Sequence, residues 1–267
     1  MSITGHMPSM GILQLHEGEK KFQLTRHAPS GPLSPFVKHY WIVSWNLEGQ
    51  PPYCQDVVPN PCVNLVMEEG KSGIYGAACS KYTQRLEGKG QVFGIKFRPG
   101  GFYPFLGSEL SGLKGGALPL EAVFGAGAAP YGQAISQSPE AAARIALTEA
   151  LLLERLPAND DNISEINRII DYITEDPGLT RVEQLCERFG MNKRRLQRLF
   201  SRYVGVTPKW VIRLYRLQNA AEALEGGLQH DLAKLSVELG YYDQSHFIKD
   251  FKSIIGKTPD EYASPLP

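Results

Sequence analysis

The sequence predicts a two-domain α+β chain: a β-rich N-terminal half followed by an all-α C-terminal third. Three observations carry this. Short aromatic and β-branched runs between glycine and proline turns fill the stretch to about Phe124. From Asn162 onward the apolar residues recur at helical spacing instead. Between them, the polar, proline-broken segment 156–162 has the composition of a linker, placing the domains at residues 1–157 and 158–267.

In the first domain, Phe36–Trp45 is the strongest strand, flanked by Pro32, Pro35 and Pro51-Pro52. Ile12–Leu15, Cys62–Met67, Gly73–Ala77 and Gln91–Phe97 are further candidates, with turns at Glu69-Gly70 and Gly88-Lys89-Gly90. Many short strands suggest a small barrel or a sandwich. Residues 139–156 then switch period, with Ala142, Ile145, Ala146, Glu149, Leu152 and Leu153 on one helical face. That helix either closes the β unit or mediates dimerisation.

In the second domain, Ile163, Ile166, Ile169, Ile170 and Ile173 form one stripe behind Asn162 as expected N-cap. Thr180–Glu183 reads as a capping box opening the next helix. Gly190 ends that helix, and Asn192 caps another that runs to Tyr203. Thr207-Pro208 opens a long helix to about Leu224, stopped by Gly226-Gly227.

The helical part contains a repeat. Leu185 through Gly190 parallels Leu235 through Gly240 at a spacing of fifty. Leu196, Phe200, Gly205, Thr207 and Pro208 parallel Phe247, Phe251, Gly256, Thr258 and Pro259 at fifty-one, so the second copy has one extra residue after its glycine. Each copy is a short helix, a glycine turn and an amphipathic second helix, which is a helix-turn-helix. The joining helix would span ~25 Å at 1.5 Å per residue, compatible with adjacent major grooves.

The formal net charge is zero, but its distribution is uneven. From Arg188 to Ala221 nine basic side chains occur with no Asp or Glu. Such a one-signed block suits a polyanion, since phosphate binding needs local rather than global potential. Other classes find little support. No apolar run approaches the ~18 residues of a membrane span, and the N-terminus lacks a secretory pattern, so a cytoplasmic protein without membrane association is expected. Cys54, Cys62, Cys79 and Cys186 form no disulfide framework and no zinc spacing. No nucleophile elbow, phosphate loop or HExxH motif occurs, so neither an enzyme, a metal site nor a cofactor is expected.

The C-terminal ~105 residues resemble the tandem helix-turn-helix domain of the AraC/XylS family of transcription regulators. The resemblance is carried by Leu196–Phe200, Gly205–Pro208, Arg213–Leu217 with Ala220-Ala221, Gly240–Phe247, Phe251-Lys252 and Gly256–Pro259. Residues Pro61–Leu65 and Phe93–Gly101 are similar to an uncharacterised regulator domain that precedes such readers. For the first domain the resemblance implies a cupin-like barrel that senses a small effector.

With Leu196, Leu199, Phe200 and Tyr203 as the buried stripe, Arg194, Gln197 and Arg198 become base-reading candidates on the first recognition helix, positions that match the family's. Gln244, Ser245, His246 and Lys249 match family groove positions on the second, behind Asp243 as cap. Lys193, Arg195, Arg202, Lys209, Arg213, Lys252 and Lys257 are phosphate candidates. Glycines 190, 205, 240 and 256 are expected at positive φ. If an effector pocket exists, Trp41, Trp45, Asn64, Tyr75 and Arg98 are its candidate lining, although most such aromatics in a small barrel are core and such an arginine more often satisfies turn carbonyls.

The function expected is a sequence-specific transcription regulator modulated at its first domain. Its expected partners are double-stranded DNA, a small-molecule effector, RNA polymerase and a second copy of the chain. A thiol- or oxidant-responsive regulator, an architectural DNA binder, and a barrel enzyme with a vestigial helix-turn-helix domain are the rival readings.

Overall fold

The computed structural model describes residues 11–68, 72–77, 80–113, 116–176, 178–225 and 231–264. Glu69, Gly70, Cys79, Gly226 and Gly227, named above, lie outside them. After a short helix α1 (Leu15–Gly18) come seven strands: β1 (Phe22–His27), β2 (Val37–Asn46), β3 (Tyr53–Val57), β4 (Asn64–Met67), β5 (Gly73–Tyr75), β6 (Tyr82–Leu86) and β7 (Lys89–Phe97). Five form an antiparallel sheet ordered β1-β2-β7-β4-β5, and β3 pairs with β6 in a ribbon.

Alternation sets the inner face of the sheet. Tyr40 and Ile42 of β2 stand opposite Ile95 and Phe93 of β7, and Leu65 of β4 stands opposite Ile95. All five are buried. Helices α2 (Tyr103–Leu106), α3 (Glu121–Phe124), α4 (Ala128–Gln137) and α5 (Ala141–Leu153) follow the sheet. Phe102, Phe124, Ile135, Leu151 and Leu152 complete the core with the inner face. The expected helix over 139–156 is thus α5, packed on the sheet's core.

Several local expectations are corrected. Ile12–Leu15 is not a strand: Gln14 sits in left-handed backbone at φ 49, and Ile12 makes only an isolated bridge to Val57. Strands β1, β3 and β6 carry no clear strand signal in the sequence, because their polar residues (Gln23 and Arg26, Gln55 and Asp56, Gln84 and Arg85) dilute the apolar pattern. Helix α4 was hidden by Pro130 and Gly132, and Pro130 is tolerated because it falls in the first turn, where its missing N–H has no partner to lose.

The C-terminal part holds α6 (Asp161–Glu175), α7 (Val182–Phe189), α8 (Lys193–Tyr203), α9 (Pro208–Glu225), α10 (Leu232–Glu238), α11 (Gln244–Ile255) and α12 (Pro259–Ala263). The N-cap of α6 is Asp160 rather than Asn162, its carboxylate accepting from the Asn162 backbone at 2.9 Å. At α7 the Thr180 hydroxyl does not cap. Gln184 Oε1 instead accepts from the Thr180 and Arg181 amides at 3.0 and 2.9 Å.

Both helix-turn-helix units are docked on the first domain. Phe36 belongs to the core of the first unit, with Ile166, Phe200 and Val211. Leu13 and Val58 belong to the core of the second, with Leu217, Phe247 and Phe251. The Asn167 amide donates to the Pro99 carbonyl and the Gln218 amide to the Pro59 carbonyl, each at 3.2 Å.

Candidate nucleic-acid interface

In the first unit, α7 ends at Gly190, whose φ of 62 is the left-handed conformation a β-carbon disfavours. The chain turns and Asn192 caps α8, its Oδ1 accepting from the Arg195 amide at 2.8 Å. Leu196, Leu199, Phe200 and Tyr203 are buried, which leaves Lys193, Arg194, Arg195, Gln197, Arg198 and Arg202 exposed. In the second unit Gly240 turns the chain at φ 69 and Asp243 caps α11, accepting from the His246 amide at 2.7 Å. Phe247, Phe251, Ile254 and Ile255 are buried, while Gln244, Ser245, His246, Lys249 and Lys252 are exposed. The two second helices therefore repeat one design, an apolar inner stripe and a polar outer face.

The exposed side chains are not equivalent. Among the described residues, Arg194, Gln197 and Arg198 have no protein partner, and neither has Lys209 at the start of α9. Lys193 instead pairs with Glu183 at 2.8 Å and Arg195 with Glu165 at 3.0 Å. Arg202 donates to the Tyr103 hydroxyl of the first domain. A groove of about 400 Å³ gathers Arg181, Lys193, Gln197, Thr207 and Lys209 between the N-termini of α7 and α9. Arg181 adds a charge to this groove from outside the one-signed block of 188–221.

Two of the nine basic residues of the one-signed block serve the interior. Arg213 is half-buried, pairs with Asp250 at 3.0 Å and donates to the Ser253 hydroxyl, fastening α9 to α11. The Arg216 guanidinium lies 4.6 Å from the centre of the Tyr241 ring. Arg213 thus acts in the structure as a tie between the helices, which limits its reach toward a phosphate. Lys257 is half-buried, and Lys252 is exposed in the last turn of α11.

Of the five effector-pocket candidates, Trp41, Trp45, Asn64 and Tyr75 stand on β2, β4 and β5 of the sheet, and Arg98 follows β7. Trp41 and Trp45 lie on the sheet face opposite Tyr40 and Ile42. Their rings cover Gly94 and Gly90, where a β-carbon would stand 2.1 and 2.3 Å from ring atoms. Trp45 edges an open groove of about 700 Å³ with Phe22, Gln23 and Lys89, which the other four do not line. Asn64 stands opposite Tyr75 in the β4–β5 ladder. The Arg98 Nε donates to the Ser34 carbonyl at 2.7 Å, so its first duty is to a turn.

Lys96, Arg26 and Lys38 bring positive charge around His39. His39 and Asn64 flank Lys96 across the ladders. Burial, reinforced by Lys96, Arg26 and Lys38, drops the His39 imidazole to about 3. Burial likewise lowers Lys96 and raises the Cys62 thiol. Cys62 is therefore a buried, protonated thiol, Cys54 is exposed and Cys186 half-buried. Among the described residues no cluster of three or more His, Cys, Asp or Glu is arranged to hold a metal, and no helix is long and apolar enough to cross a membrane.

Residues 185–264, from α7 to the end of α12, match a family described as a helix-turn-helix domain. Over these residues the chain is similar to helix-turn-helix domains. Residues 25–119 match a second family, described as a domain of unknown function (DUF6597). An uncharacterised HTH-type transcriptional regulator of Haemophilus influenzae is 35% identical over 81 residues, covering 30% of this chain and 27% of that protein. The F1 operon positive regulatory protein of Yersinia pestis is 34% identical over 99 residues, covering 36% of this chain and 33% of that protein. The chain thus spans about a third or less of the length of these relatives. Wild-type ToxT from Vibrio cholerae, solved with an unsaturated fatty acid bound, aligns over 91% of both chains at 14% identity and a TM-score of 0.36.

Proposed function

We propose that this chain is a sequence-specific DNA-binding transcription regulator that lays α8 and α11 of its AraC-type domain into adjacent major grooves of one duplex. The observation that carries this reading is the set Arg194, Gln197 and Arg198, exposed on one helix and free of protein partners. Arginine presents two donors to guanine O6 and N7, and glutamine pairs in the same two-point way with adenine N6 and N7. On α11 the readers are Gln244, Ser245, His246 and Lys249. Lys209 and Arg181 border the groove beside α8 and supply the sequence-independent phosphate contacts, joined by Lys193 once it leaves Glu183.

The first domain acts as the regulatory partner of this reader. Its Phe36, Leu13 and Val58 lie in the cores of the two units, so a change in its packing alters the mutual placement of α8 and α11. A small molecule bound there shifts the fraction of chains competent for DNA. Burial removes Cys62 from such a role, so an oxidant-responsive version of this regulator would act through the exposed Cys54.

The test is selection of bound duplexes from random DNA with the full chain, followed by footprinting. Protection of about two helical turns, with two contacted segments about 10 base pairs apart, is the expected result. A chain that enriches no sequence and protects none has no reader function.

A further inference from the structure

The repeat is imperfect at one position, and the structure shows which residue is extra. In the first unit only Met191 lies between the turn glycine and the Asn192 cap, and it is buried. In the second unit two residues occupy that place, Tyr241 and Tyr242, before the Asp243 cap. Tyr241 takes the buried role of Met191: it is 7% exposed, its ring packs against Phe247, and its hydroxyl donates to Asp250 at 3.1 Å. Tyr242 is the inserted residue, and it is 98% exposed.

We infer that Tyr242 is a backbone contact of the second unit, its phenol hydroxyl donating to a DNA phosphate at the edge of the groove that α11 enters. This deepens the DNA-binding reading and rests on it. Position is the first reason. Tyr242 stands one residue before the cap of α11, at the end where Gln244, Ser245 and His246 are exposed, and the N-terminal residues of a recognition helix are those that approach the duplex. Charge is the second. The corresponding end of α8 carries Lys193 and Arg194, whereas that of α11 carries Asp243, Gln244 and Ser245, an anion and two neutral groups. A phosphate at this end finds no nearby cation on the helix start, and the Asp243 carboxylate repels it. The inserted phenol reaches past that carboxylate with a neutral donor. Its freedom from protein contacts leaves the hydroxyl available.

The experiment measures affinity of the full chain for its selected duplex between about 50 and 200 mM salt. Tyr242→Phe removes only the hydroxyl and is expected to weaken binding about fivefold, equally on all sequences. The salt slope stays unchanged, because a neutral donor displaces no counterion. Tyr242→Arg substitutes a charged donor, restoring affinity at low salt and steepening the slope by about one. This gain cannot arise from misfolding. Equal binding by both variants and the unaltered chain overturns the inference alone. Full affinity in Tyr242→Phe with loss in Tyr242→Ala assigns the contact to the ring and also overturns it. Normal DNA binding with lost transcription in a reconstituted assay places Tyr242 on a protein partner instead. Absence of binding by the unaltered chain overturns the underlying DNA reading as well.

Discussion

Arg202, in the last turn of α8, donates through Nε to the hydroxyl of Tyr103 at 2.5 Å, across the junction between the two domains. The guanidinium also lies over the Tyr103 and Tyr203 rings, at 5.0 and 5.9 Å from their centres. Tyr203 in turn donates to Asp160, the cap of α6, at 2.7 Å. The C-terminal end of α8 is therefore tied to the first domain, while Arg194 and Arg198, nearer its start and middle, have no protein partner among the described residues.

Releasing this contact should strengthen DNA binding. Tyr103→Phe removes the acceptor and frees Arg202 for a phosphate. Affinity is expected to rise, and the salt slope to steepen by about one, when binding is followed across salt concentrations. An unchanged slope means that Arg202 stays away from the duplex whether or not Tyr103 holds it.

Arg194 and Lys209 should fail differently. Arg194→Ala is expected to cost ~1–3 kcal/mol at one base position and to relax specificity there. Lys209→Ala should weaken all duplexes alike and make the slope shallower by about one. Competition against a panel of single-base operator variants separates the two. A uniform loss for Arg194→Ala reassigns it to the backbone.

His39 gives the fold a pH dependence of definite sign. Burial, together with Lys96, Arg26 and Lys38, holds its imidazole neutral down to about 3, while in the unfolded chain it protonates near 6.5. The unfolded state therefore takes up the extra proton between these values, and stability contributed above pH 6.5 is lost as pH falls toward 3. In melting curves, His39→Gln should match the wild type at pH 7 and exceed it near pH 4.5 by about 1–3 kcal/mol. Parallel curves for the two proteins across that range would falsify this account.

Gly205 tests the docking of the first unit. It follows α8 at φ 86, and a β-carbon there would sit 2.8 Å from the Leu110 carbonyl oxygen of the first domain. Gly205→Ala combines left-handed strain with a backbone clash and should destabilise the protein by about 2–4 kcal/mol. Its melting temperature and the protease sensitivity of residues 154–160 report the effect. A variant as stable as the parent shows that the junction yields at little cost.

The sequence by itself determined the elements whose stabilisation is local. The apolar stripe of α6, the Asn192 and Asp243 caps and the left-handed glycines at 190, 205, 240 and 256 were legible because each depends on residues within a few positions. The outward placement of Arg194, Gln197 and Arg198 followed from the same periodicity. Strands β1, β3 and β6 are not legible in the sequence because their stability comes from partners distant in the chain, as when Phe22 stands opposite Trp45 or Tyr53 opposite Leu86. Tertiary structure also decided which cations are free. Nothing near Arg202 or Arg213 in the chain announces Tyr103 or Asp250, 99 residues upstream and 37 downstream. A charge count registers every arginine as equal, but a folded surface distinguishes those whose donors are already satisfied from those that remain open to a duplex.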